Sequence, residues 1–158
     1  MRYYKSKDAA EYFSSNRTSL EDFYESEKYI LKEFINNVKN ANKKQFLLDI
    51  GCAAGGLGKS LKDSLQDKLD YTGIDINPES IKLGKKLFKE LNLLQGDFSE
   101  NIENLSSKEI DTVISFSCID WNENFEQSMR TILNLCKKKK SDFIFTFRAA
   151  NKGCNNIK

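Results

Sequence analysis

The 158-residue chain has no histidine, a single proline and a single tryptophan. Without histidine, neither the commonest neutral zinc ligand nor the usual general base is available. Its four cysteines, Cys52, Cys118, Cys136 and Cys154, stand far apart and form no CxxC pair. They complete no metal site and are read as reduced thiols. Charge of one sign is not in excess: 25 Lys and Arg face 23 Asp and Glu, a formal net charge of +2. That balance provides no broad basic field of the kind that draws in nucleic acid. No apolar run is long enough to span a bilayer, and the opening MRYYKSKDAAEYF is charged from its second residue, with no apolar signal-peptide core. A cytoplasmic location and no membrane partner are expected. No internal repeat or low-complexity stretch stands out. The length and mixed composition suit one ordinary domain with a real core, and small molecules become the expected partners.

The chain does contain an alternation of strand-like and helix-like segments. Thr18 and Glu21 have the spacing of a capping box, opening a helix with Phe23, Ile30, Leu31, Phe34, Ile35 and Val38 at helical intervals. After the polar KNANKK comes QFLLDI, Gln45 to Ile50, the near-continuous apolar run of a parallel strand buried on both faces. Leu57, Leu61, Leu65 and Leu69 recur at four-residue steps and predict a second helix with one buried stripe. YTGIDI, Tyr71 to Ile76, reads as a second strand. Asn77 followed by Pro78 is a good helix start, with Ile81, Gly84, Leu87, Phe88 and Leu91 on the inner face. NLLQG is a short third strand, and EIDTVISFS, Glu109 to Ser117, is a β-branched and aromatic fourth. A helix with the stripe Phe125, Met129, Ile132, Leu133 and Cys136 follows. Its end carries Lys137 to Lys140, where the helix dipole favours cations. SDFIFTFRAA closes the series as a fifth strand. Residues 1–42 are expected to form an N-terminal helical arm or lid and residues 43–158 the ligand-binding domain. The alternation implies an α/β fold, a doubly wound open parallel sheet with helices on both faces.

In such sheets ligands sit beyond the carboxyl ends of the strands, and LLDIGCAAGGLGKSL, Leu47 to Leu61, lies there. Gly51, Ala53, Gly55 and Gly56 leave the strand-to-helix turn almost without side chains, so backbone N–H groups can face a ligand directly. Gly51, Ala53 and Gly56 nearly fit GxGxxG, with Ala53 in the middle place. Small residues also serve simply to pack a helix on a strand, but three glycines in six residues exceed that need. Asp75 ends the second strand about 20 residues further on, where a carboxylate can accept from two ribose hydroxyls. Its bland alternative is a turn residue before Pro78. Asp49 lies inside an apolar strand, where a carboxylate needs a partner: the loop amides, or a ligand ammonium. A pyrophosphate there would be repelled. Asp97 and Phe98, in QGDFSE, can accept from an amine and cover a ring face, or be a solvated loop with one core phenylalanine. Together these features point to a nucleoside ligand.

Taken in order, LLDIGCAAGG, YTGIDINPESI, LLQGDFSE and IDTVISFSCIDW resemble the motifs of the class I S-adenosylmethionine-dependent methyltransferases over about Phe46 to Arg148. The resemblance implies a Rossmann-like sheet of order 3-2-1-4-5, S-adenosylmethionine as methyl donor and S-adenosylhomocysteine as product. Gly51, Ala53 and Gly55, with Cys52 among them, would pass under the methionine part, and Asp49 would organise that loop. Asp75, with Ile76 beside it, would take the ribose hydroxyls, Asp97 the adenine amine and Phe98 its ring, while Ser117 and Cys118 would flank the methionyl end. Ala53 departs from the family's commoner glycine by one methyl group. The N-terminal SSNRTSLEDFYESEKYIL also looks like methyltransferases of surface-polysaccharide or other small-molecule pathways, which implies a small-molecule acceptor such as a sugar hydroxyl.

The family core usually continues past the fifth strand into another helix and an antiparallel hairpin, whereas this sequence runs into NKGCNNIK. The expected fifth strand is then an apolar edge. Either the chain is incomplete, or a second copy, a partner chain or the N-terminal segment covers it. For the chemistry, in-line methyl displacement draws mainly on positioning, and with no histidine Asp120 is the first candidate base. Asp120 could equally cap the following helix, and Trp121 could floor an acceptor pocket or close the core. Arg17 with Tyr12, Phe13 and Tyr24 is either a lid meeting the cofactor carboxylate or the packing of an amphipathic arm. Two other readings stay open. The near GxGxxG with Asp75 suits an NAD(P)-dependent oxidoreductase, against which Asp49 and QGDF stand; the third reading is a non-catalytic cofactor-binding partner subunit.

Overall fold

Apolar runs that bury both faces become strands here, and stripes at helical spacing become the helices that cover them. The computed structural model describes residues 7–15, 17–106, 109–122 and 124–147. Expectations on the side chains of Phe13 and Trp121, and on residues 148–158 with Arg148 and Cys154, lie outside the described residues. The strands are β1 (Gln45–Ile50), β2 (Leu69–Asp75), β3 (Asn92–Gln95), β4 (Thr112–Phe116) and β5 (Asp142–Thr146). The helices are α1 (Lys7–Ser15), α2 (Glu25–Asn40), α3 (Gly56–Leu65), α4 (Pro78–Leu87), α5 (Ile102–Ser106) and α6 (Phe125–Lys139).

The sheet has the order β3-β2-β1-β4-β5, and every neighbouring pair is parallel. Strand order therefore reverses beside β1, which sets the ligand crevice at the end of that strand. Alternation along β1 splits the core in two. Leu47 packs with Leu31, Phe34 and Val38 of α2 and Leu57 and Leu61 of α3, whereas Leu48 and Ile50 pack with Leu105 of α5 and Ile132 and Leu135 of α6. Each fully buried leucine on these faces contributes about 1.5–3 kcal/mol through surface removed from water. No helix among the described residues is long and apolar enough to cross a membrane.

Several local expectations need correction. The first long helix starts at Glu25 rather than Thr18, and the proposed pair Thr18 and Glu21 is not what caps it. The carboxylates that reach back are Asp22, accepting from the N–H groups of Thr18 and Ser19 at 3.0 and 2.9 Å, and Glu27, accepting from that of Tyr24 at 3.1 Å. A short 3-10 turn at Leu20–Asp22 fills the gap. Leu69 is the first residue of β2, not a turn of α3, which ends at Leu65 before Gln66 at φ +48°. The four-residue rhythm runs on because strand and helix bury into the same cluster.

On α4, Asn77 caps as expected, its side-chain oxygen accepting from the N–H groups of Glu79 and Ser80 at 3.0 and 3.3 Å. Leu87, however, is exposed rather than on the inner face. On α6 the buried stripe is Ile132, Leu135 and Cys136, while Phe125 and Leu133 face out. The lysines do gather at the end of α6, with Lys140 as its left-handed cap.

Candidate functional site

Gly51 follows β1 at φ +80°, and a Cβ there would lie 2.2 Å from the Cys118 sulfur. The turn is thus pressed against the end of β4, and only glycine fits both its conformation and its space. Ala53 also takes positive φ, +49°, without being glycine. Its N–H donates to Asp75 Oδ2 at 2.8 Å, and Asp75 Oδ1 accepts from the N–H of Asn77 at 2.8 Å. Asp75 therefore ties the glycine loop to the start of α4. Burial raises its pKa, and these two amides oppose the rise.

Asp49, the expected organiser of that loop, has another partner. Its Oδ2 accepts from the Tyr71 hydroxyl at 2.6 Å, deep in the core, where Asp49 is 3% exposed. Burial pushes its pKa up to about 7, with the Tyr71 bond pulling down and the Asp75 charge adding to the rise. A strand side chain stands on one face of the sheet, where Asp49 meets the side chain of a neighbouring strand on that same face rather than the loop that follows it.

A cavity of about 750 Å³ opens beyond the carboxyl ends of the strands. Among the residues singled out from the sequence it brings together Asp49, Gly51, Ala53, Asp75, Ile76, Asp97, Phe98, Ser117 and Cys118. Cys52, Gly55 and Asp120 do not line it. Cys52 is buried with its sulfur against Gly73, Gly55 faces Leu91 and Leu93, and Asp120 sits half-buried in the 3-10 turn Ile119–Trp121. Asp97 Oδ1 accepts from the N–H and hydroxyl of Ser99 at 2.8 and 2.7 Å, and Phe98 packs on the α6 side of the core. Ser117, at φ +50°, donates its N–H to the Thr146 hydroxyl at 2.9 Å. Burial and the charges of Asp75 and Asp49 push the Cys118 thiol up to about 12, so it stays protonated and is no nucleophile.

The N-terminal elements close one side of the cavity with Tyr12, Arg17, Phe23, Tyr24 and Glu27. Arg17 Nη2 donates to both Glu27 oxygens at 3.0 and 2.8 Å, and its guanidinium stands 5.3 Å from the Phe23 ring centre and 5.1 Å from that of Tyr24. Five carboxylates, Asp22, Glu27, Asp49, Asp75 and Asp97, and a single described cation, Arg17, therefore line the space.

Residues 41–156 match the sequence model of a family described as a methyltransferase domain. The chain belongs to that family. Juvenile hormone acid O-methyltransferase of Drosophila melanogaster is 28% identical over 131 residues, covering 78% of this chain and 44% of that protein. The 18S rRNA (guanine-N(7))-methyltransferase RID2 of Arabidopsis thaliana is 34% identical over 84 residues, 53% of this chain and 28% of that protein. Among solved structures, the plantazolicin methyltransferase BamL, in complex with a triazolic desmethylPZN analog and SAH, aligns with a TM-score of 0.54 at 27% identity over 64% of this chain and 37% of that one. The chain spans less than half the length of each of these proteins.

Two residues of this chain, one before the matched methyltransferase domain and one within it, escape reading by motif. Glu27 stands four residues before Leu31 on the buried stripe of α2 and is 1% exposed. A carboxylate on an apolar stripe is the signal that would have found it. Tyr71 gives no such signal, because a tyrosine in a strand looks like ordinary core.

Proposed function

We propose that the domain binds S-adenosylmethionine in this cavity and transfers its methyl group to a small-molecule acceptor, with a sugar hydroxyl as the acceptor group to test first. The observation that carries the reading is the meeting of the bare turn at Gly51 and Ala53 with Asp75 and with Asp97 and Phe98 around one cavity. The donor set fits the group: carboxylates outnumber cations around the space, which suits a ligand bearing a sulfonium and an ammonium. When bound, S-adenosylmethionine supplies an electrophilic methyl carbon whose bond to sulfur breaks as the acceptor bond forms.

The residues divide the binding work. Gly51 and Ala53 admit the methionine part close to the backbone, and Asp49 faces its ammonium. Asp75, already fixed by two amides, accepts from the ribose hydroxyls through its remaining lone pairs. Asp97 accepts from the adenine amine and Phe98 covers the ring. Ser117 and Cys118 flank the reacting end, beside Asn122 and Phe147, which offer a polar and an aromatic wall for the acceptor. Asp120, set back from the lining, is not required, since displacement at a sulfonium draws mostly on positioning and the hydroxyl proton can pass to water.

The test is calorimetric titration with S-adenosylhomocysteine and with NAD, repeated on Asp75→Ala, followed by methyl-transfer assays on sugars and on carboxylic acids. Binding of the homocysteine adduct that Asp75→Ala abolishes supports the cofactor. Binding of NAD in its place would overturn it, and turnover on acids with none on sugars would overturn the acceptor group.

A further inference from the structure

On the reading that the cavity takes S-adenosylmethionine, we propose that Tyr71 is a positioning residue that holds the Asp49 carboxylate toward the amino-acid end of the cofactor. Tyr71 lies opposite Leu47 in the β1–β2 register, and Asp49 lies opposite Gly73. Tyr71 and Asp49 are therefore diagonal neighbours on one face of the sheet, a separation of about 7–8 Å between backbones that a tyrosine can bridge. The bridge is made, with the hydroxyl 2.6 Å from Oδ2. Asp49 itself lines the cavity, and with Oδ2 engaged by Tyr71 the ligand is assigned to Oδ1.

Two glycines clear the path. A Cβ on Gly73 would lie 2.9 Å from the Tyr71 hydroxyl oxygen, and one on Gly58, in the first turn of α3, would lie 2.5 Å from Cε1 and Cζ of the ring. The ring is enclosed between strand and helix backbones and has no room to swing. Its hydroxyl direction, and with it the carboxylate's rotation, is set by the fold before any ligand arrives. A plain core role would need only an apolar ring of that size. The hydroxyl belongs to a buried side chain and faces the backbone N–H of Gly58 as well as Asp49, and its donation to the carboxylate is what that role leaves unexplained.

The test compares two ligands that differ only where Asp49 acts. S-adenosylhomocysteine carries the ammonium, whereas methylthioadenosine lacks the amino-acid part and keeps the adenosine. Calorimetry on the wild-type chain, Tyr71→Phe, Asp49→Asn and the double variant is expected to show Tyr71→Phe weakening S-adenosylhomocysteine by about tenfold, the size of a hydrogen bond to a charged group, with methylthioadenosine almost unchanged. In the Asp49→Asn background the Tyr71→Phe change should add little. Gly58→Ala, which displaces the ring without removing the hydroxyl, should reproduce the selective loss. Equal loss for both ligands, or none for either, would overturn the inference while wild-type binding left the cofactor reading standing. Absence of wild-type binding would overturn both.

Discussion

Replacing Asp49 by asparagine should make the chain more stable at neutral pH and a poorer binder. Asp49 keeps its proton up to about pH 7 in the folded chain, against an ordinary value of 3.8. Between those values the folded state binds more protons than the unfolded one. The contribution is fully present below the lower value, declines as pH rises, and is gone above the upper one. A shift of about 3 units at 1.36 kcal/mol each sets an upper limit of about 4 kcal/mol lost by about pH 8. Asparagine is neutral throughout and its side-chain oxygen still accepts from Tyr71, so the variant escapes the loss. The groups around the carboxylate are Tyr71 and Asp75 on β2, Arg17, Cys52 and Cys118; the effects of Tyr71, Asp75 and Arg17 on Asp49 are already contained in its raised value, and both thiols are pushed up and stay protonated across this pH range in either protein.

Denaturant or thermal unfolding of the pair across pH is the assay. At about pH 8 the variant should melt several degrees higher, at roughly 2–4 °C per kcal/mol for this size, and the gap should shrink by about 2–3 kcal/mol on going down to about pH 5. A gap that stays constant with pH, or a variant less stable than the wild type at about pH 8, would refute the argument that burial holds a proton on Asp49. Binding of S-adenosylhomocysteine should move the other way, weakest in the variant, which would mark Asp49 as a site where stability has been given up for function.

Gly51→Ala should cost about 2–4 kcal/mol in urea unfolding and lose S-adenosylhomocysteine binding, because φ +80° and the 2.2 Å approach to the Cys118 sulfur both oppose a side chain; a neutral result would show that the loop relaxes freely. Glu27→Gln removes the charge that holds Arg17 while keeping the shape. It should destabilise by roughly 1–3 kcal/mol and free the guanidinium, seen as a new salt dependence of cofactor affinity. Leu135→Ala should cost about 2–4 kcal/mol and Leu133→Ala less than about 0.5, since one is 3% and the other 50% exposed. Equal costs would mean that α6 presents a different face.

How much could be read in advance follows from the range over which each feature is specified. QFLLDI as a doubly buried strand, Asn77 with Pro78 as a helix start and the lysines closing α6 depend on neighbours a few residues away, and these stood correctly in the sequence. Alternating strands and helices with right-handed crossovers implied an open parallel sheet, while its order was implied only by the resemblance to the methyltransferase family. The gathering of Asp75, Asp97, Phe98 and Cys118 at one cavity was also legible, since each follows the carboxyl end of a parallel strand. Boundaries went wrong where one burial pattern served two elements, as at Leu69, or where two similar leucines competed for one face, as at Leu133 and Leu135. Partnerships were out of reach. That Asp75 rather than Asp49 holds the glycine loop, that Glu27 grips Arg17, and that Tyr71 rather than any loop amide takes Asp49 depend on side chains 10 to 22 residues apart meeting in space. A sequence specifies period and composition locally, while the register of strands and the room left by Gly58 and Gly73 exist only once the sheet and α3 are packed together.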